Sequence, residues 1–302
     1  MSRSNFWCIT PYFNPAKYES IQKNWSIFSH ELRKRKINLL TVELSFDGSY
    51  DIPLSHDVLR LRSNSVMWQK ERLINYGIEN LPSNCKSFAW VDCDVLFEQE
   101  DWVEQTIEKL KTNDIVQLFK RIYYLSKEAE SYTSKYDSMM QSVIWQNKIH
   151  KNWLVRRKMK DLPFSHPGFA WAANKSTFPN GIYDRNIIGS GDTFIVDCVL
   201  DSWEIHGFAK KFTTKMREEM EVWALSLPKL KYDYIPQSIY HLYHGSLKNR
   251  AYMDRHDILK ENDFDPSEDI KIVNNVFEWA SNKPNMHNAI IEYFKNRQED
   301  ET

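Results

Sequence analysis

At 302 residues and a formal net charge of −1, the chain can bury a core without disulfides or structural metals, and its even charge excludes a protein whose main work is coating nucleic acid. Its four cysteines, Cys8, Cys85, Cys93 and Cys198, show neither zinc-ligand spacing nor a dense disulfide framework. No apolar run reaches the roughly 18 residues of a membrane span. MSRSNFWCITPYFNP also lacks a signal peptide's apolar stretch, so a cytoplasmic protein with no transmembrane segment is expected.

In chain order, apolar runs alternate with helical periods, the pattern of βαβ units and a largely parallel sheet. Phe6 to Thr10 reads as a first strand, ended by Pro11 and Asn14. Ile21, Trp25, Phe28 and Leu32 recur at four, three and four residues and form one apolar helix face. Ile37 to Leu44 is a second strand, apolar enough to be buried on both sides. A helix around Trp68 to Tyr76, a third strand from Ser87 to Val91, a helix from Trp102 to Leu110 and a strand from Ile115 to Phe119 follow.

Beyond these, Ser134 to Lys160 reads as a helix with a basic end at Lys151, Arg156, Arg157, Lys158 and Lys160. Gly168 to Ala173 reads as a short strand, Asp192 to Leu200 and Glu218 to Leu227 as helices, and Ser238 to Leu242 as a strand. The tail from Lys248 is expected to be mostly helical, with its last residues, RQEDET, frayed. No linker of Gly, Ser or Pro divides the chain. It reads as one α/β domain with a nucleotide-facing half over 1–120, an acceptor-facing half over 121–247 and a helical tail over 248–302.

The third strand runs into Asp92-Cys93-Asp94. Residues two apart on a strand share a side, so both carboxylates can converge on one hard cation, Mn²⁺ or Mg²⁺, which also binds a diphosphate. The pair lies at a strand's carboxyl end, where open α/β sheets bind ligands. Such pairs also arise by chance in solvated loops, but the flanking FAWV and VLF are too apolar for an ordinary surface loop. Thr10, Pro11 and Tyr12 after the first strand, and Glu43 near the end of the second, face the same crevice on this reading. Glu43 is either a hydrogen-bond acceptor for a ribose or base, or a solvated strand end. Lys70 can meet the diphosphate, or lie on a solvated helix face. No glycine-rich dinucleotide or triphosphate cradle is present, so phosphate charge falls to metal and side chains.

Two later stretches add candidates. In GSGDTF, Gly189, Ser190 and Gly191 form a small-residue loop before Asp192, which either caps the following helix or takes a proton from an attacking hydroxyl. In YHLYHGSLKNRAYMDRH, His241 and His244 end a strand. A neutral imidazole can complete a metal site begun by carboxylates, and His244, which adjoins Gly245, is preferred over His241. Lys248 and Arg250 are placed to hold departing diphosphate.

WQKERLINYGIENLP, FAWVDCDVLFEQEDWVE and YHGSLKNRAYMDRH resemble stretches of an uncharacterised family of bacterial and viral proteins of the GT-A glycosyltransferase class, over most of residues 5 to 260. HPGFAWAANKSTF with the later GSGD is similar to the β-1,4-galactosyltransferase arrangement of a strand leading to a Gly-rich acidic loop. The resemblance implies a GT-A-type, Rossmann-like mixed sheet flanked by helices. It implies Asp92 and Asp94 as the DxD acids, Asp192 as the catalytic acid–base residue and His244 as the late metal ligand. The galactosyltransferase loop carries several adjacent acids and a Trp, whereas Asp192 stands alone here.

The function expected is therefore a metal-dependent, inverting glycosyltransferase, a hexosyl- or pentosyltransferase, using a nucleoside-diphosphate sugar. Its acceptor is a glycan, or alternatively a modified base in DNA. The competing readings are a nucleotidyltransferase, which shares the metal and strand-end geometry, and a nucleic-acid-binding module built on Arg33-Lys34-Arg35-Lys36 and the run from Arg156 to Lys160.

Overall fold

The computed structural model describes residues 5–127, 136–150, 165–202, 211–252 and 254–300. The first half carries β1 (Phe6–Phe13), α1 (Glu19–Lys34), β2 (Asn38–Ser45), β3 (Val58–Arg62), α2 (Lys70–Glu79), β4 (Ser87–Val91), β5 (Val95–Phe97), α3 (Trp102–Lys109) and β6 (Ile115–Gln117). Then come β7 (Arg121–Leu125), β8 (Tyr136–Ser142), α4 (Val143–His150), β9 (Ser165–His166), β10 (Ala170–Asn174) and α5 (Gly191–Val199). The last third holds α6 (Thr214–Leu225), β11 (Tyr232–Tyr234), β12 (Ser238–His241), α7 (Asp257–Glu261), β13 (Ile270–Val273), β14 (Val276–Trp279) and α8 (Pro284–Asn296).

Seven strands form the central sheet in the order β11-β6-β10-β4-β1-β2-β3. β10 runs antiparallel to both of its neighbours and the other pairings are parallel, so the fold is a mixed α/β sheet flanked by helices. A second sheet, β5-β12-β7-β8-β9, leans on the carboxyl end of β4. The period of two along β4 divides the core: Phe88 and Trp90 join one cluster, Ala89 and Val91 the other. On α1, Trp25, Phe28 and Leu32 are buried, as their spacing predicts.

Three expectations are corrected. VLRLR forms the edge strand β3, which the sequence reading passed over because its arginines leave only a short alternating pattern. Residues 136–142, expected in a helix, form β8 by pairing antiparallel with β7; long-range pairing overrides local preference there. Only 143–150 of that stretch is helical, and Lys151 to Lys160 lie outside the described residues. The tail is not mainly helical: β13 and β14 make a hairpin within it. The side-chain amide of Gln69, immediately before α2, bonds the backbone N–H and C=O of Phe277 in that hairpin at 2.8 and 3.0 Å. The hairpin thereby fixes the start of α2, and with it Lys70. No helix among the described residues is long and apolar enough to cross a membrane.

Candidate active site

β4 ends at Val91 and hands the chain to Asp92, whose N–H bonds the carbonyl of Phe169 at 2.8 Å. Two residues on, β5 pairs antiparallel with β12, with His241 opposite Val95. The Leu242 N–H bonds the carbonyl of Asp94 at 2.8 Å. This register lays the end of β12 against Asp94 and converges three ligand atoms, from Asp94, His241 and His244, within 4.8 Å of one another. Asp94 Oδ2 is 2.8 Å from His244 Nε2 and 3.6 Å from His241 Nε2, and the two imidazole nitrogens are 3.1 Å apart. Asp94 Oδ1 is buried and has no hydrogen-bond partner among the described residues.

Three lone-pair donors so close together repel one another unless a proton or a cation lies between them. An orphaned carboxylate oxygen beside two imidazoles is the donor set of a divalent cation site, so the residues fit such an ion. Burial alone would raise the Asp94 carboxyl, but His241 and the hydrogen-bonded His244 bring it well below its ordinary value. Burial drives His241 far down, and Asp94 recovers only part. At His244, burial and Arg250 push downward, but the carboxylates of Glu299 and Asp94 prevail and the imidazole sits above its usual range.

The wall behind His244 comes from the far end of the chain. Glu299 Oε2 lies 3.0 Å from His244 Nδ1, and Arg297 clamps the other Glu299 oxygen. The expectation that RQEDET frays is corrected for residues 297–300. Asp300 accepts from the backbone N–H groups of Glu19 and Ser20 at 2.8 Å each, and Tyr18 Oη takes the Gln298 N–H at 2.9 Å. Arg250 lies against the His244 ring, 3.0 Å from Nε2, and reaches Tyr252 Oη at 3.2 Å. Arg255 donates to Ser190 Oγ at 2.7 Å and to Tyr293 Oη at 3.1 Å. Neither Arg250 nor Arg255 has a carboxylate ion-pair partner among the described residues.

Opposite stands an acidic wall. Lys70 Nζ is 2.6 Å from Asp92 Oδ1 and 2.8 Å from Asp192 Oδ2. Burial alone would lower the Lys70 ammonium; Asp192 and Asp92 more than offset it, so it stays charged. Glu71 is buried beside them, its Oε2 without a hydrogen-bond partner among the described residues, and burial raises its carboxyl despite Lys70. Gly191 permits this packing, because a Cβ there would fall 2.2 Å from Glu71 Oε1. Ser190, not Asp192, occupies the N-cap of α5, in the left-handed region at φ 80°. Asp192 lies one residue inside the helix with its carboxylate turned to Lys70, so it is not a capping residue.

Both walls enclose a cavity of about 470 Å³. Pro11, Phe13, Trp68 and Phe294 line one end, with the Phe13 and Trp68 rings edge to face at 5.1 Å, and Tyr124, Phe169 and Tyr252 lie among the other lining residues. His166 also lines it, and burial, then Lys70, pushes its imidazole down to about 3. A depression of about 680 Å³ around Arg72, Asp184 and Trp223 is larger, but most of its charged groups pair with one another: Arg72 with Asp184 and Glu79, and Arg185 with Glu219.

Of the residues singled out in the sequence, Pro11, Lys70, Asp92, Asp94, Asp192, His244 and Arg250 line the cavity. Asp92 stands beside the Asp94–His241–His244 cluster rather than in it, neutralised by Lys70. Lys70 is correspondingly tied between two carboxylates instead of lying open to a phosphate. Four expectations are corrected. Thr10 is fully buried, its hydroxyl given to Val91 O at 2.8 Å, and the Tyr12 hydroxyl bonds Asp51 at 2.9 Å. Glu43 accepts from the backbone N–H groups of Asp51 and Ile52 at 2.6 and 3.0 Å, because the loop after β2 folds back over it. Lys248 is exposed and outside the cavity wall.

Sequence reasoning ranked His241 below His244, named Arg255 only as one of several cations after the histidines, and missed Glu299 as a cavity group and Glu71 as the buried acid behind Lys70. The HxxH spacing at a strand end was the available signal for His241; Glu299 had none. In the basic run, Arg33 pairs with Asp57 and Arg35 bonds the Gln99 carbonyl, so neither is a free phosphate contact.

No family model matches the chain, and no curated protein matches it. Among solved structures it is similar to a mannosyltransferase from Pyrobaculum calidifontis in complex with GDP-Man and Mn²⁺, at 10% identity over 97% of this chain and 72% of that one, with a TM-score of 0.44. It is similar to the catalytic domain of Drosophila β1,4-galactosyltransferase 7 in complex with xylobiose, at 11% identity over 65% of this chain, with a TM-score of 0.36. The match spans 61% of that galactosyltransferase chain. It is also similar to 4-diphosphocytidyl-2C-methyl-D-erythritol synthase from Anaerococcus prevotii, at 10% identity over 78% and 88% of the two chains, with a TM-score of 0.34. At such scores these likenesses do not assign a reaction; the site's own chemistry has to.

Proposed function

We propose that this chain is a metal-dependent, inverting glycosyltransferase that moves a sugar from a nucleoside-diphosphate sugar to an acceptor hydroxyl. One observation supports the reading: a single cavity holds a carboxylate–imidazole group suited to a cation, buried arginines without carboxylate ion-pair partners among the described residues, and a separate carboxylate on a helix start. A cation with a diphosphate complements the first two, and a hydroxyl to be deprotonated complements the third.

Asp94, His241 and His244 would hold the cation. Two imidazoles beside one carboxylate lean away from Mg²⁺, which prefers oxygen, toward Mn²⁺ or another transition ion. When bound, the ion supplies positive charge against the diphosphate. Arg250, beside His244, faces the same leaving group and stabilises it as it departs. The aromatic end around Phe13 and Trp68 offers a stacking surface for the nucleoside, and Tyr124, Phe169 and Tyr252 offer apolar faces for sugar rings.

Asp192 acts as the base. The Lys70 ammonium, 2.8 Å from its Oδ2, holds the carboxylate in place at the cavity wall, within reach of an acceptor hydroxyl. The acceptor oxygen bonds to the anomeric carbon as the carbon–oxygen bond to the diphosphate breaks. The proton passes to Asp192, and the electron pair leaves with the nucleoside diphosphate. Attack opposite the leaving group inverts the configuration. A glycan hydroxyl is the acceptor class that the aromatic lining suits.

The test is incubation with a panel of nucleotide sugars in Mn²⁺ or EDTA, reading the released nucleoside diphosphate and the anomeric configuration of the product. Metal-dependent release from one donor, with inversion, is expected. Release of pyrophosphate from a nucleoside triphosphate would replace this assignment with nucleotidyl transfer.

A further inference from the structure

Residues 297–300 lie against the cation site. Glu299 is 55 residues from His244 in sequence yet 3.0 Å from its Nδ1, and it is only 2% exposed. Its position is fixed from several directions. Arg297 holds the second carboxylate oxygen, and Ser20 Oγ bonds the Glu299 carbonyl at 3.0 Å. The backbone of 298–299 packs on Gly245, where a Cβ would fall 2.8 Å from both the Gln298 oxygen and the Glu299 Cα. Gly245, at φ 75°, is therefore the residue type that lets the tail approach its neighbour His244 this closely.

We infer that Glu299 is a positioning residue for the cation site: it takes the Nδ1 proton of His244 and so presents the Nε2 lone pair to the ion shared with Asp94 and His241. The inference rests on the cation site of the proposed function. A buried carboxylate on the far nitrogen fixes tautomer and ring orientation and makes the imidazole a stronger donor. Arg297 keeps Glu299 aimed, since an unclamped glutamate would sample several rotamers. Glu299 and Arg297 would thus support the cation ligands from behind.

The experiment is Mn²⁺ titration of the 302-residue chain by electron paramagnetic resonance, comparing wild type with Glu299→Ala, Glu299→Gln and, as a control on the same segment, Asp300→Ala. Glu299→Ala is expected to weaken Mn²⁺ about 10- to 100-fold, the range for second-layer changes. Glu299→Gln, which keeps an acceptor oxygen, should lose less, and Asp300→Ala should bind within about 2-fold of wild type. Nitrogen-15 shifts of His244 in the metal-free protein give a readout that does not depend on the alanine variant folding; a proton on Nδ1 is expected, and a neutral ring protonated only at Nε2 overturns the inference. Equal weakening by Asp300→Ala and Glu299→Ala overturns it too, because the tail would then act through fold integrity alone. Unchanged affinity in Glu299→Ala overturns this inference and leaves the cation site standing. A wild type that binds no Mn²⁺ overturns both.

Discussion

Lys70 Nζ lies 2.8 Å from Asp192 Oδ2 although 122 residues separate them. The same ammonium is 2.6 Å from Asp92, so one buried cation joins the acid that follows β4 to the acid that opens α5. Without it, Asp92, Asp192 and Glu71 would share a low-dielectric wall with no counter-charge.

Lys70→Ala should therefore destabilise the metal-free protein by about 3 kcal/mol, the cost of stranding a buried ionic partner. The deficit depends on pH. Burial already holds the Asp92 and Glu71 carboxyls above their ordinary values, with Lys70 opposing it, so removing Lys70 raises them further. An acid raised in the folded state carries no penalty below its unfolded value, near about 4, and costs stability as pH rises above it. Wild type and variant lose stability alike until the pH reaches the wild-type folded values, about 7 for Asp92 and about 8 for Glu71, so chemical denaturation in EDTA should show the deficit opening above about pH 7; a deficit unchanged from about pH 6 to pH 9 would rule out the electrostatic account.

Asp192→Asn should lower kcat about 10²- to 10⁴-fold, the usual worth of general-base catalysis, while leaving Kd for the nucleoside diphosphate nearly unchanged. Asparagine keeps the shape and a hydrogen bond to Lys70 but cannot accept the proton. Turnover at the wild-type rate would remove Asp192 from the chemistry.

His241→Ala should weaken Mn²⁺ binding more than a second-layer change does, that is by more than about 10- to 100-fold. The sequence places His244 foremost, but both Nε2 atoms face the same Asp94 oxygen. Wild type with Mn²⁺ at about 100 times its Kd should gain about 2.7 kcal/mol of stability, and His241→Ala at the same concentration should gain almost nothing. A gain equal to that of wild type would confine the site to Asp94 and His244.

Asp300→Ala should cost about 1 kcal/mol, because this carboxylate caps the first turn of α1, which has no side-chain cap of its own. Burial would raise the Asp300 carboxyl slightly, but the N–H groups of Ser20 and Glu19 bring it below its ordinary value. A depressed acid stabilises above its unfolded pKa, near about 3.9, and that contribution disappears as pH falls through the folded value. The difference between wild type and variant should accordingly close in acid. A difference that persists at the lowest pH where both fold would point to lost packing instead.

Much of the scaffold was legible in the sequence because local pattern and tertiary environment agree there. The apolar run of β2, the spacing on α1 and the strand that delivers Asp92 and Asp94 each encode burial directly. The Gly-Ser-Gly turn before Asp192 likewise announces a helix start. Glu43 and Tyr12 misled because a strand end looks the same in sequence whether it meets a ligand or a returning loop; here the loop around Asp51 and Ile52 took both.

The sequence by itself determined the α/β core and the chemical types available at the strand ends, since periodicity and residue chemistry are local properties. Only the tertiary structure decided which of those groups meet. The pairing of β12 with β5 brings His241 and His244 to Asp94, and the hairpin of β13 and β14 sets Lys70 between Asp92 and Asp192. The tail, held by Arg297 and Ser20, carries Glu299 to His244. These contacts span tens to hundreds of residues, and their register is fixed by the packing of the whole core rather than by any neighbouring stretch of chain.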